Sequence, residues 1–275
     1  MTKSDLSISY YEYNAFVIEH GGKTVAIDPG ATFFYYFQMK TAIPKSLWPS
    51  VSHIVVTHGD PDHYWFADKM VAASRAPVVM NEAMIRDTPA GPRALGPRSK
   101  GLAFDWDIAN AEAMSLGETR KIDGISFSTV KATHGPLTLK VGPFQKTEYP
   151  GSNERVGWGS MGFVMTWNGR TLVNLADTLL EKEAWASIVE PDVLMLPIGG
   201  KEAHNTMDVD EAVEAVKMIR PKVVIPMHYN LRAFFTTKYC PADEQVFRTR
   251  VERLGSRCIL LSPGETWREC QEKDK

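Results

Sequence analysis

The alternation of apolar and polar positions along the chain predicts strands that pair as hairpins. Apolar and β-branched runs are separated by short turns that contain glycine, which is the usual mark of two antiparallel strands. The predicted hairpins are Ala15–Glu19 with Thr24–Asp28, Thr119–Ile122 with Ile125–Ala132, and Met161–Trp167 with Arg170–Ala176.

Other segments have helical spacing or are apolar throughout. The predicted helices are Tyr64–Ser74, Leu180–Glu190, a segment with Val209, Val213, Val216 and Ile219 behind the capping box of Asp208 and Glu211, and Asp243–Leu254. The continuous apolar runs that predict buried strands are His53–Thr57, Asp192–Leu196, Lys222–Met227 and Ile259–Leu261. Stretches rich in glycine, proline or polar residues predict loops at Asp87–Gly101 and Gly142–Ser160.

The order of these elements predicts two packed sheets with helices outside. Hairpins come early in each half and are followed by strand–helix alternation, which favours an α/β (α+β) architecture in layers. No repeat of solenoid period is visible, and glycine and proline do not pool in a linker. We therefore expect one domain over residues 1–275.

Composition narrows the class of protein. The net charge of -2 and the pI of about 6.4 come with no long basic run, which argues against a nucleic-acid or anionic-membrane surface. The three cysteines have no CxxC spacing, so reduced thiols are expected. The first residues lack the apolar segment of a signal peptide. We expect a cytoplasmic protein with a small-molecule substrate.

One short segment carries most of the candidate chemistry. The run Thr57–His63 places His58, Asp60, Asp62 and His63 around Gly59 and Pro61, so that two imidazoles and two carboxylates leave one bend. Imidazole with carboxylate suits Zn, Mn, Fe or Co. A solvated surface turn of the same composition is the alternative, because Asp, Gly and Pro are common turn residues.

Three further residues favour the metal site over the surface turn. His134, Asp177 and His228 each follow a predicted strand, as His58 does. Strand ends that meet at one sheet edge form a rigid rim for ligands. Four of the chain's 7 histidines lie in this set.

The order of these candidate residues along nearly the whole chain resembles the metallo-β-lactamase fold superfamily. Its pattern is an Asp after the first hairpin, an HxHxDH loop, a lone His, a lone Asp and a final His, matched here by Asp28, the 58–63 loop, His134, Asp177 and His228. Asp192–Met207 and Pro221–Tyr229 are similar to the branch of L-ascorbate-6-phosphate lactonase and uncharacterised metal-dependent hydrolases. The resemblance implies a four-layer αβ/βα sandwich with two divalent metal ions (Zn, Mn or Fe) at one edge.

The resemblance also implies roles for individual residues. The first metal would be held by His58, Asp60 and His134, the second by Asp62, His63 and His228, and Asp177 would bridge them. Asp60 departs from the family, which usually has His there, and a carboxylate shifts preference from Zn towards Mn or Fe. A second departure is Glu12-Tyr13-Asn14-Ala15, where related hydrolases often have Gly-His-Ser or Gly-His-Ala, so any role of that His is missing or replaced.

These roles lead to a hydrolytic mechanism. Two divalent ions lower the pKa of a shared water from 15.7 to about 7, which yields a hydroxide nucleophile bridged by the metals. Asp62 would be both ligand and acceptor of the water proton. His204 faces substrate as a proton donor or oxyanion stabiliser, or is a solvated loop residue. Asp28 either supports the metal loop, Thr57–His63, or is a turn carboxylate.

Several other residues have candidate roles outside the metal site. The Phe33–Phe37 stretch is core, a pocket wall or a contact in a homo-oligomer. Arg155 and Trp158 are candidates for the lip of the site, whereas His20 and His53 are expected to be structural.

The leading function is a metal-dependent hydrolase of a small ester, lactone or phosphodiester. A diiron redox or oxygen-binding protein of the same fold is the alternative, motivated by Asp60, although the chain has no room for a flavin domain. A metal-binding scaffold without chemistry is a third class, disfavoured by the complete ligand set.

Overall fold

The computed structural model describes residues 6–32, 40–89, 91–95, 107–108, 111–141, 144–150, 156–232 and 238–269. Phe33–Phe37 and Arg155 lie outside these residues, so the predictions made for them are not addressed by the structure. The strands are β1 Ser7–Glu12, β2 Ala15–His20, β3 Lys23–Ile27, β4 His53–Val55, β5 Val78–Asn81, β6 Ile85–Thr88, β7 Gly91–Leu95, β8 Asp107–Ile108, β9 Ala111–Met114, β10 Thr119–Ile122, β11 Ile125–Lys131, β12 Leu137–Val141, β13 Phe144–Glu148, β14 Met161–Trp167, β15 Arg170–Asn174, β16 Val193–Pro197, β17 Val223–Met227, β18 Leu231–Arg232, β19 Lys238–Tyr239, β20 Arg257–Cys258 and β21 Thr266–Arg268. The α-helices are α1 Pro61–Tyr64, α2 Ala67–Ser74, α3 Gly200–Ala203, α4 Val209–Ile219 and α5 Glu244–Arg253, and Lys45–Ser50 and Glu82–Met84 are 3₁₀ helices.

Two sheets, each of seven strands within the described ranges, form the centre of the molecule. The first has the order β21-β1-β2-β3-β4-β5-β9 and the second β10-β11-β14-β15-β16-β17-β20. Antiparallel hairpins give way to parallel strands in both, from β3 to β4 in the first sheet and from β15 to β17 in the second. Parallel neighbours need long crossovers, and most of the helices lie in these connections.

The sheets pack face to face with helices on both outer faces. Phe16 of β2 is buried against Phe163 of the second sheet, whereas the next residue, Val17, faces the other way and clusters with Met70 of α2. On the far side of the second sheet, α4 and α5 cover fully buried residues such as Leu194. The alternation along single strands thus builds four layers and confirms the sandwich inferred from the sequence.

Elements with local sequence signals lie where they are predicted. The three hairpins are confirmed, with β2 pairing β3, β10 pairing β11, and β14 pairing β15. Helix α4 begins with the capping box of Asp208 and Glu211, and Asp243 caps α5 through the backbone N–H groups of Gln245 and Val246. Among the helices described, none is long and apolar enough to span a membrane.

The helix predicted at Leu180–Glu190 is wrong, because this segment is a run of turns. Its Trp185 is fully buried, and the indole Nε1 donates to the Lys131 carbonyl at 2.8 Å. Burial of Trp185 against the end of β11 therefore determines the conformation of this segment more strongly than its helical spacing does.

The strand predicted at Ile259–Leu261 is displaced to β20, Arg257–Cys258. It pairs with β17 only at Val223 and Val224, because Pro226 has no N–H with which to continue the ladder to this edge. Strand β7 and the end of β6 lie within the loop predicted at Asp87–Gly101, and β13 lies within the one predicted at Gly142–Ser160. In the first of these, Pro89 lies in the turn between the strands, where proline is tolerated.

Candidate metal centre

The seven residues predicted as metal ligands come together at one edge of the two sheets. They follow four different strands: His58, Asp60, Asp62 and His63 after β4, His134 after β11, Asp177 after β15, and His228 after β17. The first four belong to the first sheet and the last three to the second. The centre therefore lies across the junction of the two sheets.

Three of these residues form a first group. His58 Nε2 lies 3.5 Å from Asp60 Oδ2, and His134 Nε2 lies 3.6 Å from the same oxygen. The three donor atoms lie within 4.8 Å of one another, so they can hold one metal ion.

A second group lies beside the first. His63 Nε2 is 3.4 Å from Asp62 Oδ2, and His228 Nε2 is 4.0 Å from that oxygen. These atoms also lie within 4.8 Å of one another. The rings of His58 and His63, one from each group, have centroids only 3.8 Å apart.

Asp177 lies between the two groups. Its Oδ2 is 2.8 Å from His228 Nε2, 3.4 Å from His63 Nε2 and 4.0 Å from His134 Nε2. One carboxylate oxygen thus reaches an imidazole of each group.

The polar atoms of this cluster fit a bound cation. His58 Nε2, His63 Nε2 and Asp177 Oδ1 are buried, and none has a hydrogen-bond partner among the described residues. Buried polar atoms without partners cost free energy, and metal coordination is one way in which proteins satisfy them. Four imidazole nitrogens with three carboxylates form a donor set for Zn, Mn or Fe.

The backbone turns sharply at three strand ends around the cluster. Asp28, Ala176 and His228 have φ angles of 46°, 62° and 52°, in the left-handed region that non-glycine residues rarely adopt. Each lies just after a strand, where the chain must bend to direct a side chain into the cluster. Backbone strain of this kind concentrates at functional sites.

Asp28 supports the metal loop through hydrogen bonds, which agrees with the first of its two predicted roles. Its Oδ2 accepts hydrogen bonds from His63 Nδ1 at 2.7 Å and Thr57 Oγ1 at 2.6 Å, and its Oδ1 accepts one from the Thr57 N–H at 2.7 Å. Thr57 Oγ1 also lies 3.1 Å from His58 Nδ1. With both Nδ1 atoms engaged, the Nε2 atoms of His58 and His63 are free for a metal.

A buried pair of amides, Asn14 and Asn174, supports Asp28 at the segment that departs from the family pattern. Asn14 Nδ2 donates to Asp28 Oδ2 at 2.6 Å and to Asn174 Oδ1 at 3.1 Å, while Asn174 Nδ2 donates to Asn14 Oδ1 at 2.7 Å. Asn174 Oδ1 also accepts from the Ala176 N–H at 2.9 Å, one residue before Asp177. Sequence reasoning missed this pair, although the departure at Asn14 pointed to it.

The first group is held by the loop that precedes β14. The Gly157 N–H donates to Asp60 Oδ1 at 2.9 Å, so that Oδ2 of the same carboxylate faces His58 and His134. A Cβ at Gly157 would lie 2.4 Å from His134 Cβ, and its φ is 61°, so only glycine fits here. The His134 Nδ1–H donates to the Gly135 carbonyl at 2.6 Å, which leaves Nε2 for the cluster.

Close charges shift the pKa values in the second group. Burial alone would lower the pKa of His63 and His228, but the carboxylates of Asp62 and Asp177 around His63, and of Asp177 beside His228, raise both well above the ordinary value. Burial likewise opposes ionisation of Asp177, yet His228 and His63 hold its pKa well below the usual range.

His134, in the first group, behaves differently. Burial, together with the neighbouring His58, lowers its pKa despite Asp60. Its ring is therefore neutral at physiological pH, which is the form that binds a metal.

The remaining candidates are His204, Trp158 and His53. His204 is exposed at the end of α3, and its carbonyl oxygen would be 2.0 Å from a Cβ at Gly135, so the backbone passes next to His134 while the side chain faces solvent. Trp158 packs against Gly59 of the metal loop, and its carbonyl accepts the Gly59 N–H at 2.8 Å. His53 is buried with Nε2 3.2 Å from the Ile122 carbonyl, which agrees with a structural role.

Known proteins share this fold and chain length. A model of the beta-lactamase superfamily domain matches residues 7–228. A UPF0173 metal-dependent hydrolase of Thermoplasma acidophilum is 32% identical over 248 residues, which span 87% of this chain and 88% of that protein. The structure of Igni18, a metallo hydrolase of Ignicoccus hospitalis, has a TM-score of 0.66 at 24% identity and covers 98% of this chain and 100% of its own.

A further solved structure is similar in fold alone. CmlA, a diiron beta-hydroxylase of Streptomyces venezuelae, has a TM-score of 0.59 at 14% identity, over 98% of this chain and 55% of its own. The superfamily match ends at the last residue of the cluster, and the similarity to the Thermoplasma protein extends over most of both chains. The chain therefore belongs to the beta-lactamase superfamily and, within it, to the UPF0173 family of metal-dependent hydrolases.

Proposed function

We propose that the cluster holds two divalent metal ions and that the enzyme hydrolyses a small ester, lactone or phosphodiester. The observation that carries this proposal is the position of Asp177 Oδ2, which is 2.8 Å from His228 Nε2 and 4.0 Å from His134 Nε2. A carboxylate oxygen placed between two complete ligand groups suits a bridge between neighbouring ions.

Metal ions at this site would supply an activated water and polarise the oxygen of the bond under attack. The protein's own residues hold the groups in place: His58, Asp60 and His134 on one side, and Asp62, His63 and His228 on the other. Asp28 and Thr57 orient the metal loop through the hydrogen bonds described above. Asp60 adds a hard oxygen ligand to the first group, which favours Mn or Fe over Zn.

Asp62 has a second proposed task. Its side chain is 14% exposed, the largest value among the ion-paired side chains of the cluster, so it faces incoming water and substrate. Burial would raise its pKa, but His63 and His228 lower the pKa of Asp62 to about 2. The carboxylate is thus ionised at neutral pH and could accept a proton from water, which it would pass to the leaving group.

The test combines metal analysis with a screen of chromogenic esters, lactones and phosphodiesters. Asp177→Ala should lower the bound metal and abolish turnover together, because both groups lose a shared ligand. Asp62→Asn should reduce the single-turnover rate more than the metal content, because an amide cannot accept the proton. Asp68→Ala, an Asp in the first turn of α2, is the matched control and should change neither quantity.

Two results would contradict the proposal. Full metal content with normal turnover in Asp177→Ala would show that this residue is not a shared ligand. A wild-type protein that holds two ions per chain and cleaves no member of the three substrate classes would refute the proposed substrates.

A second candidate is a diiron redox or oxygen-binding protein. The observation that favours it is the Asp60 carboxylate in the first group, where an additional hard ligand suits iron. A visible absorption band that changes between reduced and air-exposed protein would support this function. A colourless, fully active enzyme loaded with Zn or Mn would exclude it as the main activity.

A further inference from the structure

Tyr13 occupies an unusual backbone position beside the metal centre. It lies between β1 and β2, where the pairing register shifts at Tyr10 and Glu12. Glu12 and Tyr13 have φ angles of 123° and 47°, which are unfavourable for side chains of this size. Irregularities of this type often direct a side chain towards an active site.

The bend places the Tyr13 side chain against a predicted metal ligand. Its ring meets the His228 ring edge-on, with centroids 5.6 Å apart at 67°, and its carbonyl accepts the His228 N–H at 3.1 Å. The side chain packs with Leu231, Tyr239 and Cys240, so it forms part of a wall on the second-group side of the centre. It is only 3% exposed.

The hydroxyl of Tyr13 is buried and has no hydrogen-bond partner within the described part of the chain. Among other buried aromatic side chains, Trp185 Nε1 donates to the Lys131 carbonyl and Trp48 Nε1 to the Ile43 carbonyl, whereas Trp267 Nε1 also has no partner among the described residues. A phenol keeps its proton at neutral pH and can donate a hydrogen bond.

A residue kept only for packing would not need this hydroxyl. A phenylalanine would fill the same space without leaving a buried donor unsatisfied, and such replacements are often neutral or stabilising. Backbone strain and an unpaired donor occur here in one residue, next to the Asp62 and His228 side of the centre. Both are accounted for if the partner of the hydroxyl is the substrate.

We propose that Tyr13 is a catalytic residue whose hydroxyl donates a hydrogen bond to the substrate's carbonyl or phosphoryl oxygen beside Asp62 and His228. This inference rests on the proposed hydrolytic function. When water adds to the carbonyl or phosphoryl group, that oxygen gains negative charge, and a fixed donor stabilises the charge. The phenol proton stays on Tyr13 while the bond to the leaving group breaks, and the proton that Asp62 accepts from water passes to the leaving oxygen.

The decisive variant is Tyr13→Phe, with Tyr11→Phe as its control. Tyr11 lies on β1 and is half-buried on the outer side, packed against the cluster that contains Val17. Three quantities are measured for the Mn- or Zn-loaded proteins: the melting temperature, the Kd for phenylphosphonate by calorimetry, and kcat/KM on the best chromogenic substrate. Phenylphosphonate is a tetrahedral oxyanion that the enzyme does not cleave, so its binding is read independently of turnover.

We expect Tyr13→Phe to keep its metal content and an equal or higher melting temperature. Its Kd for phenylphosphonate should rise about tenfold, and kcat/KM should fall about 10- to 100-fold. Tyr11→Phe should leave Kd and kcat/KM unchanged.

The results that would contradict the role of Tyr13 differ from those that would contradict the proposed function. An unchanged Kd in Tyr13→Phe, with or without a lower melting temperature, would show that the hydroxyl serves the fold and not the substrate. A wild type that binds no phenylphosphonate would overturn the inference as well. A wild type that binds it but cleaves no chromogenic substrate would refute the proposed function, while the comparison of Kd values would still decide the role of Tyr13.

Discussion

At the scale of single residues, Asp60 is the position that most distinguishes this metal centre. It supplies a carboxylate where the superfamily pattern usually has an imidazole, and the structure places its Oδ2 3.5 Å from His58 Nε2 and 3.6 Å from His134 Nε2. The other oxygen is held by the Gly157 N–H at 2.9 Å. A carboxylate fixed in this way is positioned as a ligand would be, which supports the proposed role of Asp60 over a solvated turn residue.

We predict that Asp60 sets the metal preference of the first group. Asp60→His should shift preference towards Zn, because a third imidazole is a softer ligand than a carboxylate. Asp60→Ala should weaken the first group for any divalent ion. Competition between Zn and Mn, measured by calorimetry for the wild type and both variants, gives the preference directly.

Asp68→Ala again provides the control, since this residue lies on α2 outside the cluster. If the ratio of Zn to Mn affinity is the same in the wild type, Asp60→His and Asp60→Ala, then Asp60 is not a ligand.

At the scale of elements, the Asn14–Asn174 pair joins the start of β2 to the end of β15. These residues are 160 positions apart in the chain and belong to different sheets. One amide of the pair holds Asp28, which orients His63, and the other holds the backbone just before Asp177. The pair therefore sets the ligands of the two sheets relative to one another.

We predict that the two asparagines act as a unit. Asn14→Ala and Asn174→Ala should each lower the free energy of unfolding of the metal-free protein by about 1–3 kcal/mol, since each leaves buried polar groups unpaired. The double variant should cost less than the sum, with a coupling of about 0.5–3 kcal/mol. Each single variant should also weaken metal binding. Urea unfolding and metal titration measure the two effects.

Asn81→Ala separates a general loss of stability from an effect on the centre. Asn81 accepts the Ala83 N–H at 2.8 Å at the start of a 3₁₀ helix, so its loss should lower stability without changing metal affinity. Additive costs for Asn14→Ala and Asn174→Ala, with metal affinity unaltered, would contradict the prediction.

The elements that the sequence predicts correctly are those whose conformation is determined by neighbouring residues in the chain. Glycine-containing turns marked the three hairpins, and Asp208 with Glu211 marked the start of α4. The candidate ligands His58, His134, Asp177 and His228 could be placed because each lies shortly after a strand. The pairing of Asn14 with Asn174 could not be read in this way, because it exists only once the sheets have packed. The buried Trp185 likewise displaces the local preference for helix at Leu180–Glu190.

At the scale of the whole molecule, the charges of the centre link stability to pH and to metal. The raised pKa values of His63 and His228 mean that both imidazoles hold protons at neutral pH in the metal-free protein. They stabilise the fold below their ordinary pKa of about 6.5, and this contribution is lost as pH rises through the raised values. The lowered pKa values of Asp62 and Asp177 give stability above about pH 3.9, which is lost as pH falls towards about 2 for Asp62.

We predict opposite pH dependences for the metal-free and metal-loaded proteins. These contributions overlap between about pH 4 and 6.5, so the metal-free form should have its highest melting temperature there. Metal must displace the protons of His63 and His228, so metal affinity should rise with pH and the loaded form should be most stable at higher pH. Calorimetric titration in two buffers of different ionisation enthalpy should detect this proton release. Identical pH profiles for the two forms, with no proton release, would rule out the linkage.

The position of the centre across the junction of the two sheets has a consequence for the protein's lifetime. Each ligand group combines residues from both sheets, so a bound ion opposes the separation of one sheet from the other. Separation must then wait for the ion to leave, and the folded half-life in a chelator follows the rate of metal release. In a cell, scarcity of the metal would remove the enzyme by degradation as well as by loss of activity. The supply of the metal would thereby limit the amount of folded protein in the cell.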